Sequence, residues 1–80
     1  METRYLKSLI AVVDSGSIAD AARAEHLTAT AVGQRVQALE RELGFALLSR
    51  SGHAARPTQA CVALLPRARR LVREAALLGS

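Results

Sequence analysis

Residues 28–44 read Thr-Ala-Thr-Ala-Val-Gly-Gln-Arg-Val-Gln-Ala-Leu-Glu-Arg-Glu-Leu-Gly. This stretch predicts one α-helix with an N-cap at Thr28 and a closing C′ glycine at Gly44. Apolar residues at helical spacing predict its buried face, and polar residues repeat that spacing on the opposite face. The apolar set is Val32, Val36, Leu39 and Leu43, and the polar set is Thr30, Gln34, Gln37 and Arg41. Such a polar face carries groups that can hydrogen-bond to the base edges of DNA.

The composition predicts one small helical domain. The chain has 80 residues, half of them hydrophobic, with a single Tyr and a single Phe, so the core must be aliphatic. The only cysteine, Cys61, excludes an internal disulfide and a cysteine cluster for zinc, and we expect it to be a small buried residue. No stretch has the length of a signal-peptide core or a membrane span, so we expect a soluble, cytoplasmic protein.

The positive charge lies in the second part of the chain. Residues 1–32 carry three basic and four acidic side chains, a net of −1. Residues 33–80 carry eight basic and three acidic ones, a net of +5, which together give the total of +4. A basic surface that begins at the polar-faced helix favours an anionic partner, with nucleic acid ahead of anionic lipid. A solvated basic surface is the alternative.

The residues before this helix predict two more helices. Residues 3–13 form the first, with Thr3 as its cap, and the turn at 14–16 ends it. Ser17 begins a short second helix, and Asp20 completes a capping-box pattern with it. Residues 25–27 form a tight turn into the third helix. Two helices joined by a tight turn, the second with a polar face, are the helix-turn-helix arrangement.

The residues after this helix predict a hairpin and a long helix. Residues 45–50 and 54–56 are the two strands of a small β-hairpin, or wing, around a turn at 51–53. Residues 59–78 are amphipathic throughout and form the last helix. Pro66 lies inside it and predicts a kink or a break.

An ordered set of residues along nearly the whole chain resembles the DNA-binding domain of LysR-type bacterial transcriptional regulators. The set comprises Leu6, Gly16-Ser17-Ile18, Ala21-Ala22, Leu27-Thr28, Ala31-Val32, Val36, Leu39-Glu40, Leu43-Gly44, Leu47-Leu48, Arg50, Pro57-Thr58 and Leu64-Leu65-Pro66. The resemblance implies a mainly α fold: a winged helix-turn-helix with a three-helix core and a β-hairpin wing, followed by a long C-terminal linker helix. It divides the chain into a DNA-binding domain, 1–58, and a linker and dimerisation helix, 59–80.

The resemblance also implies sequence-specific binding to double-stranded DNA, with the third helix in the major groove and the wing on the backbone or in the minor groove. The candidate DNA-binding residues are Thr28, Ala29, Thr30, Gly33, Gln34, Arg35, Gln37, Arg50, His53 and Arg56. Gln34 and Gln37 are the expected readers of bases, and Arg35 is expected to meet a phosphate. Close approach to DNA or to the second helix would each explain Gly33.

The last helix is expected to pair two subunits as a homodimer, because its apolar stripe is longer than an 80-residue core can cover. The predicted dimerisation residues are Leu64, Leu65, Ala68, Leu71, Val72, Ala75 and Leu78. A fourth core helix in a monomer is the alternative. A small-molecule effector is expected only on a separate C-terminal domain outside this chain, as the resemblance implies.

The sequence contains none of the residue patterns that would indicate an enzyme active site. We find no nucleophile–base pair at a useful spacing, no glycine-rich phosphate loop and no metal-ligand spacing, so no cofactor is expected. Two alternatives to the main hypothesis remain. One is a helical interaction or dimerisation module without a nucleic-acid role. The other is a winged-helix regulator of another family, such as a molybdate-responsive or multiple-antibiotic-resistance-type regulator.

Overall fold

The fold is mainly α-helical with one two-stranded antiparallel hairpin, as the sequence predicts. The computed structural model describes residues 1–52 and 54–79. Its elements are α1 (Thr3–Ser15), α2 (Ile18–Glu25), α3 (Ala29–Leu43), β1 (Leu48–Ser51), β2 (Ala54–Pro57) and α4 (Gln59–Leu77). The order matches the winged helix-turn-helix arrangement, in which α2 and α3 form the helix-turn-helix and the β1–β2 hairpin forms the wing.

Hydroxyl groups begin three of the four helices. Ser17 and Thr28 accept hydrogen bonds from the backbone N–H groups three residues on, at 2.9 and 3.0 Å, and Thr58 caps α4 in the same way. These bonds satisfy N–H groups that have no partner within the helix. The predicted cap at Thr3 is wrong, because Glu2 occupies the N-cap position of α1 and makes no side-chain cap bond.

The core forms around α1, which contacts the other three helices. Leu9 and Val12 of α1 are fully buried against Val32 and Val36 of α3, and Leu47 closes the core from the loop after α3. The apolar face of α3 is thus directed inward, as its periodicity predicts. The opposite face of α3 is left exposed as a consequence.

The wing begins later than predicted. Residues 45–47 form a loop because the Glu40 carboxylate accepts hydrogen bonds from the backbone N–H groups of Leu47 and Leu48, at 2.7 and 3.3 Å. The strand therefore starts at Leu48, and Leu48 pairs with Pro57. The Ala55 N–H also donates to the Gly16 carbonyl at 3.0 Å, which ties the hairpin to the turn between α1 and α2.

Helix α4 runs continuously through Pro66, so the predicted break does not occur. Pro66 and Val62, whose carbonyl loses its helical partner, are both exposed, and water can hydrogen-bond to that carbonyl. Two predicted dimerisation residues need correction. Leu65 and Ala68 are only 9% and 3% exposed, and both pack in the core of this chain.

Candidate nucleic-acid interface

The exposed face of α3 and the wing form one continuous surface. Thr30, Gln34 and Gln37 are exposed, as the helical spacing predicts. A shallow groove brings them together with residues of α2, α3 and β1. The groove is lined by Ile18, Ala29, Thr30, Gly33, Gln34, Gln37 and Arg50. Six of the ten predicted DNA-binding residues therefore line one groove.

Gly33 faces an arginine of the wing, and a larger residue at this position would not collide with it. A methyl group built at Gly33 would have one neighbour within 4 Å among the described residues, the Nη2 atom of Arg50 at 4.0 Å. No atom of α2 lies that close, so close approach to the second helix does not explain this glycine. The Arg50 side chain instead extends from β1 toward the exposed face of α3.

The strand register places the two wing arginines on opposite faces of the hairpin. Arg50 is opposite Ala55, which is buried, whereas Arg56 is opposite Ser49, which is exposed. Residues opposite each other in a pair share a face, and successive residues alternate. Arg50 thus lies on the face toward the helices and Arg56 on the face away from them. His53 lies outside the described residues.

Arg35 is directed away from this groove and toward α1. Its Nη1 atom donates to the hydroxyl of Ser8 at 3.2 Å, and its guanidinium carbon lies 5.4 Å from the centre of the Tyr5 ring. Ser8 in turn donates to Glu25 at 2.6 Å. Sequence reasoning missed this group, because its members come from three helices and share no local pattern.

Exposed arginines lie on α3, beside its polar face and on the outer face of the wing. Arg41, Arg50 and Arg56 are exposed and have no ion-pair partner among residues 1–52 and 54–79. By contrast, Arg23 pairs with Asp20 on α2, and Arg69 with Asp14. A surface with free guanidinium groups and amides can hold phosphates and hydrogen-bond to bases.

A scan against protein-family models adds a decisive match. The model of bacterial regulatory helix-turn-helix proteins of the lysR family matches residues 3–62. The chain belongs to the LysR family. The match extends from the start of α1 into α4, and it includes the helix-turn-helix and the wing.

Curated relatives of this LysR-family chain are longer than the chain itself. An uncharacterized HTH-type transcriptional regulator of Azotobacter vinelandii is 43% identical over 72 residues, which cover 90% of this chain and 50% of that protein. The HTH-type transcriptional regulator TcbR of Pseudomonas sp. (strain P51) is 40% identical over 79 residues, covering 99% of this chain and 27% of TcbR. The chain thus spans half or less of the length of these relatives.

Solved structures include relatives of this LysR-family chain in complex with DNA. The CbnR_DBD–DNA complex is similar with a TM-score of 0.92 and 40% identity, covering 99% of this chain and 91% of that one. The BenM_DBD complex with the benA site 1 DNA has a TM-score of 0.88 and 28% identity, over 98% and 88% of the two chains. The first of these relatives matches along almost its whole length.

Three further features of this LysR-family chain concern its cysteine, its metal-ligating side chains and the apolar length of its helices. Cys61 is fully buried, as expected. Burial raises the pKa of its thiol, and the negative charge of Glu40 adds to the rise, so the reactive thiolate is disfavoured. Among residues 1–52 and 54–79 we find no group of three or more metal-ligating side chains. No helix there is long and apolar enough to span a lipid bilayer.

Proposed function

We propose that this chain is the sequence-specific, double-stranded-DNA-binding part of a bacterial transcriptional regulator. The observation that carries the proposal is the groove in which exposed Thr30, Gln34 and Gln37 of α3 lie beside Arg50 of the wing. Helix α3 would enter the major groove, and the wing would contact the backbone or the minor groove. The DNA-bound relatives, CbnR_DBD and BenM_DBD, support this assignment.

The proposed contacts differ in kind. Gln34 and Gln37 would read base edges, because an amide can pair with adenine through two hydrogen bonds. Arg50 and Arg56 would meet phosphates from the two faces of the wing, and His53 is proposed as a further contact to the backbone or the minor groove. Thr28, Ala29, Thr30 and Gly33 would lie against the DNA at the start of α3, where free N–H groups favour a phosphate.

The whole protein is proposed to be a cytoplasmic homodimer. Residues 1–58 would bind DNA and 59–80 would pair the subunits, with Leu71 and Leu78 as exposed apolar contacts and Leu64, Val72 and Ala75 beside them. Two copies would bind half-sites of a roughly two-fold symmetric operator. An effector would act on a further domain outside this chain, and no enzymatic step is proposed.

Binding to random duplex DNA at varied salt tests the proposal. Each neutralised phosphate adds about −0.9 to the slope of log K against log salt concentration. Four or more phosphate contacts per domain would give a slope of about −3.6 or steeper. Absence of binding at low salt, or a slope near zero, would reject the proposal.

Substitutions separate base reading from phosphate binding. We expect Gln34→Ala to weaken binding to a selected operator about tenfold and to leave random DNA unaffected, because an amide–base pair is lost. We expect Arg56→Ala to weaken binding to both duplexes by similar factors and to reduce the salt slope by about 0.9. Titrations of both variants on both duplexes measure this, and equal losses for both variants on every sequence would contradict the assigned roles.

A further inference from the structure

A buried hydroxyl joins three helices behind the exposed face of α3. Ser8, in the middle of α1, is fully buried and is the one buried polar residue of the described chain. Its hydroxyl donates to the Glu25 carboxylate at 2.6 Å and accepts from the Arg35 guanidinium at 3.2 Å. We call Ser8, Glu25 and Arg35 the Ser8 triad. The two charged groups thus share one neutral partner.

Each member of the triad lies on a different helix: Ser8 on α1, Glu25 on α2 and Arg35 on α3. Glu25 is the last residue of α2, and Arg35 lies in the middle of α3. Tyr5, one turn before Ser8 on α1, lies 5.4 Å from the Arg35 guanidinium and adds a cation–π contact. The end of α2 and the middle of α3 are therefore fastened to the same point of α1.

The hydrogen bonds of the Ser8 triad restrict the rotation of α3 more strictly than apolar packing does. The buried stripe of α3 consists of Val32, Val36 and Leu39, and contacts of this kind are not directional. Hydrogen bonds, however, weaken steeply when their angles deviate. Because Gln34 precedes Arg35 directly, a rotation of α3 at residue 35 moves the Gln34 amide across the groove.

We propose that Arg35 is a positioning residue for sequence discrimination and not a phosphate contact. Through Ser8 and Glu25, Arg35 fixes the rotation of α3 about its axis. This rotation sets the direction in which the Gln34 and Gln37 side chains point. The proposal rests on the DNA-binding function proposed above. It replaces the phosphate contact expected for Arg35, because one N–H of the guanidinium donates to buried Ser8 and the group lies near the Tyr5 ring, which directs it toward α1.

The two roles for Arg35 predict different measurements. Loss of a phosphate contact weakens binding to every sequence and reduces the salt slope by about 0.9. Loss of a positioning contact spares the phosphate contacts and misaligns the base contacts. It therefore lowers the specificity ratio, which is the affinity for the preferred duplex divided by the affinity for an unrelated one, and leaves the salt slope unchanged.

The experiment uses the 80-residue chain and the duplex that it selects from a random library. Affinities for this duplex and for an unrelated duplex of equal length are measured at several salt concentrations. The variants are Arg35→Gln, Ser8→Ala and Glu25→Gln. The matched controls are Arg73→Gln and Glu74→Gln, which make the same charge changes at exposed positions of α4. Circular dichroism and thermal melting verify that each variant is folded.

We expect Arg35→Gln and Ser8→Ala each to lower the specificity ratio about tenfold, the size of one misaligned bidentate base contact. Glu25→Gln keeps an oxygen that can accept from Ser8, so its ratio should fall less, by about threefold. Salt slopes should equal those of the controls. The double variant Ser8→Ala/Arg35→Gln should lose no more than either single variant, because both changes break the same connection.

Three results would overturn the proposal. One is a reduced salt slope for Arg35→Gln with an unchanged specificity ratio. Another is a double variant whose specificity ratio falls by the product of the factors measured for Ser8→Ala and Arg35→Gln. If Ser8→Ala or Arg35→Gln does not fold, Glu25→Gln decides, and an unchanged ratio for this variant in its folded state rejects the positioning role. Failure of the parent chain to select any duplex would instead reject the proposed function itself, and the positioning role with it.

Discussion

At the scale of single residues, the Glu40 carboxylate shapes the connection between α3 and the wing. Its Oε2 atom accepts hydrogen bonds from the backbone N–H groups of Leu47 and Leu48, and Leu47 is fully buried. We expect Glu40→Ala to destabilise the fold by about 2 kcal/mol, because buried N–H groups lose a charged acceptor. Glu40→Gln should cost less, since its amide oxygen still accepts.

Urea unfolding of the two Glu40 variants measures these costs. Glu42→Ala is the matched control, because Glu42 lies two residues later on the same helix and is exposed. Its cost should stay within about 0.5 kcal/mol. A cost for Glu40→Ala no larger than that of the control would mean that the carboxylate does not hold this loop.

Local residue signals were predictable from the sequence, whereas bonds between distant residues were not. The Ser17 and Thr28 caps were predicted because each acts within three residues of its own position. Asp20 does not complete the capping box, since the Ser17 N–H donates to Ser15 and Asp20 pairs with Arg23. Bonds such as Ser8 to Arg35 join residues 27 positions apart, and no periodicity encodes them.

At the scale of elements, an ion pair fastens α4 to the end of α1. Arg69 donates to both oxygens of Asp14, at 2.7 and 3.1 Å. The hydrogen bonds from Arg69 hold the pKa of the Asp14 carboxyl below its ordinary value. The pair lies one turn beyond Pro66, where α4 lacks a helical hydrogen bond. It therefore keeps the second half of α4 in register with the domain.

The sign of the pKa shift sets the pH dependence of this ion pair. A carboxyl whose pKa is lowered by folding stabilises the folded state above its unfolded pKa, and this contribution is lost as the pH falls through the folded pKa. We expect Asp14→Asn to cost about 0.5 kcal/mol at pH 7, because both side chains are partly exposed. The difference from the parent should vanish below the folded pKa.

Urea unfolding at pH 7 and at a series of pH values falling from about 3.9, the ordinary pKa of Asp, tests this dependence. Arg69→Gln and the double variant complete a mutant cycle that isolates the pair. If the cost of Asp14→Asn is the same at all of these pH values, the stabilisation does not come from the ionised carboxylate.

The elements themselves followed from the sequence to different degrees. The bounds of α3 were predicted almost to the residue, because a cap, a stripe and a C′ glycine agree there. The start of β1 was not, since it depends on Glu40, seven residues before Leu47. The sequence also does not show which residues of α4 belong to the core and which stay exposed. The periodicity of α4 predicts an apolar stripe. Only the packing of α4 against the other helices shows that Leu65 and Ala68 lie in the core of this chain.

At the scale of the whole molecule, the second half of α4 leaves apolar side chains exposed, and we propose that a second copy covers them. Leu71 of α4 is 52% exposed, and Leu78, which follows the last residue of α4, is 88% exposed. Exposed apolar residues in a continuous stripe are characteristic of interfaces. In a two-fold dimer each of them would contribute twice, once from each subunit.

We therefore expect Leu71→Lys to weaken the proposed dimer by a factor of ten or more, with little change in the stability of the single subunit. Two buried leucines replaced by two charges account for at least ~1.4 kcal/mol, which corresponds to that factor. Arg70→Lys, the neighbouring residue with its charge retained, is the control. Sedimentation equilibrium over a range of concentrations measures the dimer, and circular dichroism verifies the fold. An unchanged dimer in Leu71→Lys would place the contact between subunits elsewhere and leave the DNA-binding surface of α3 and the wing to act without pairing through α4.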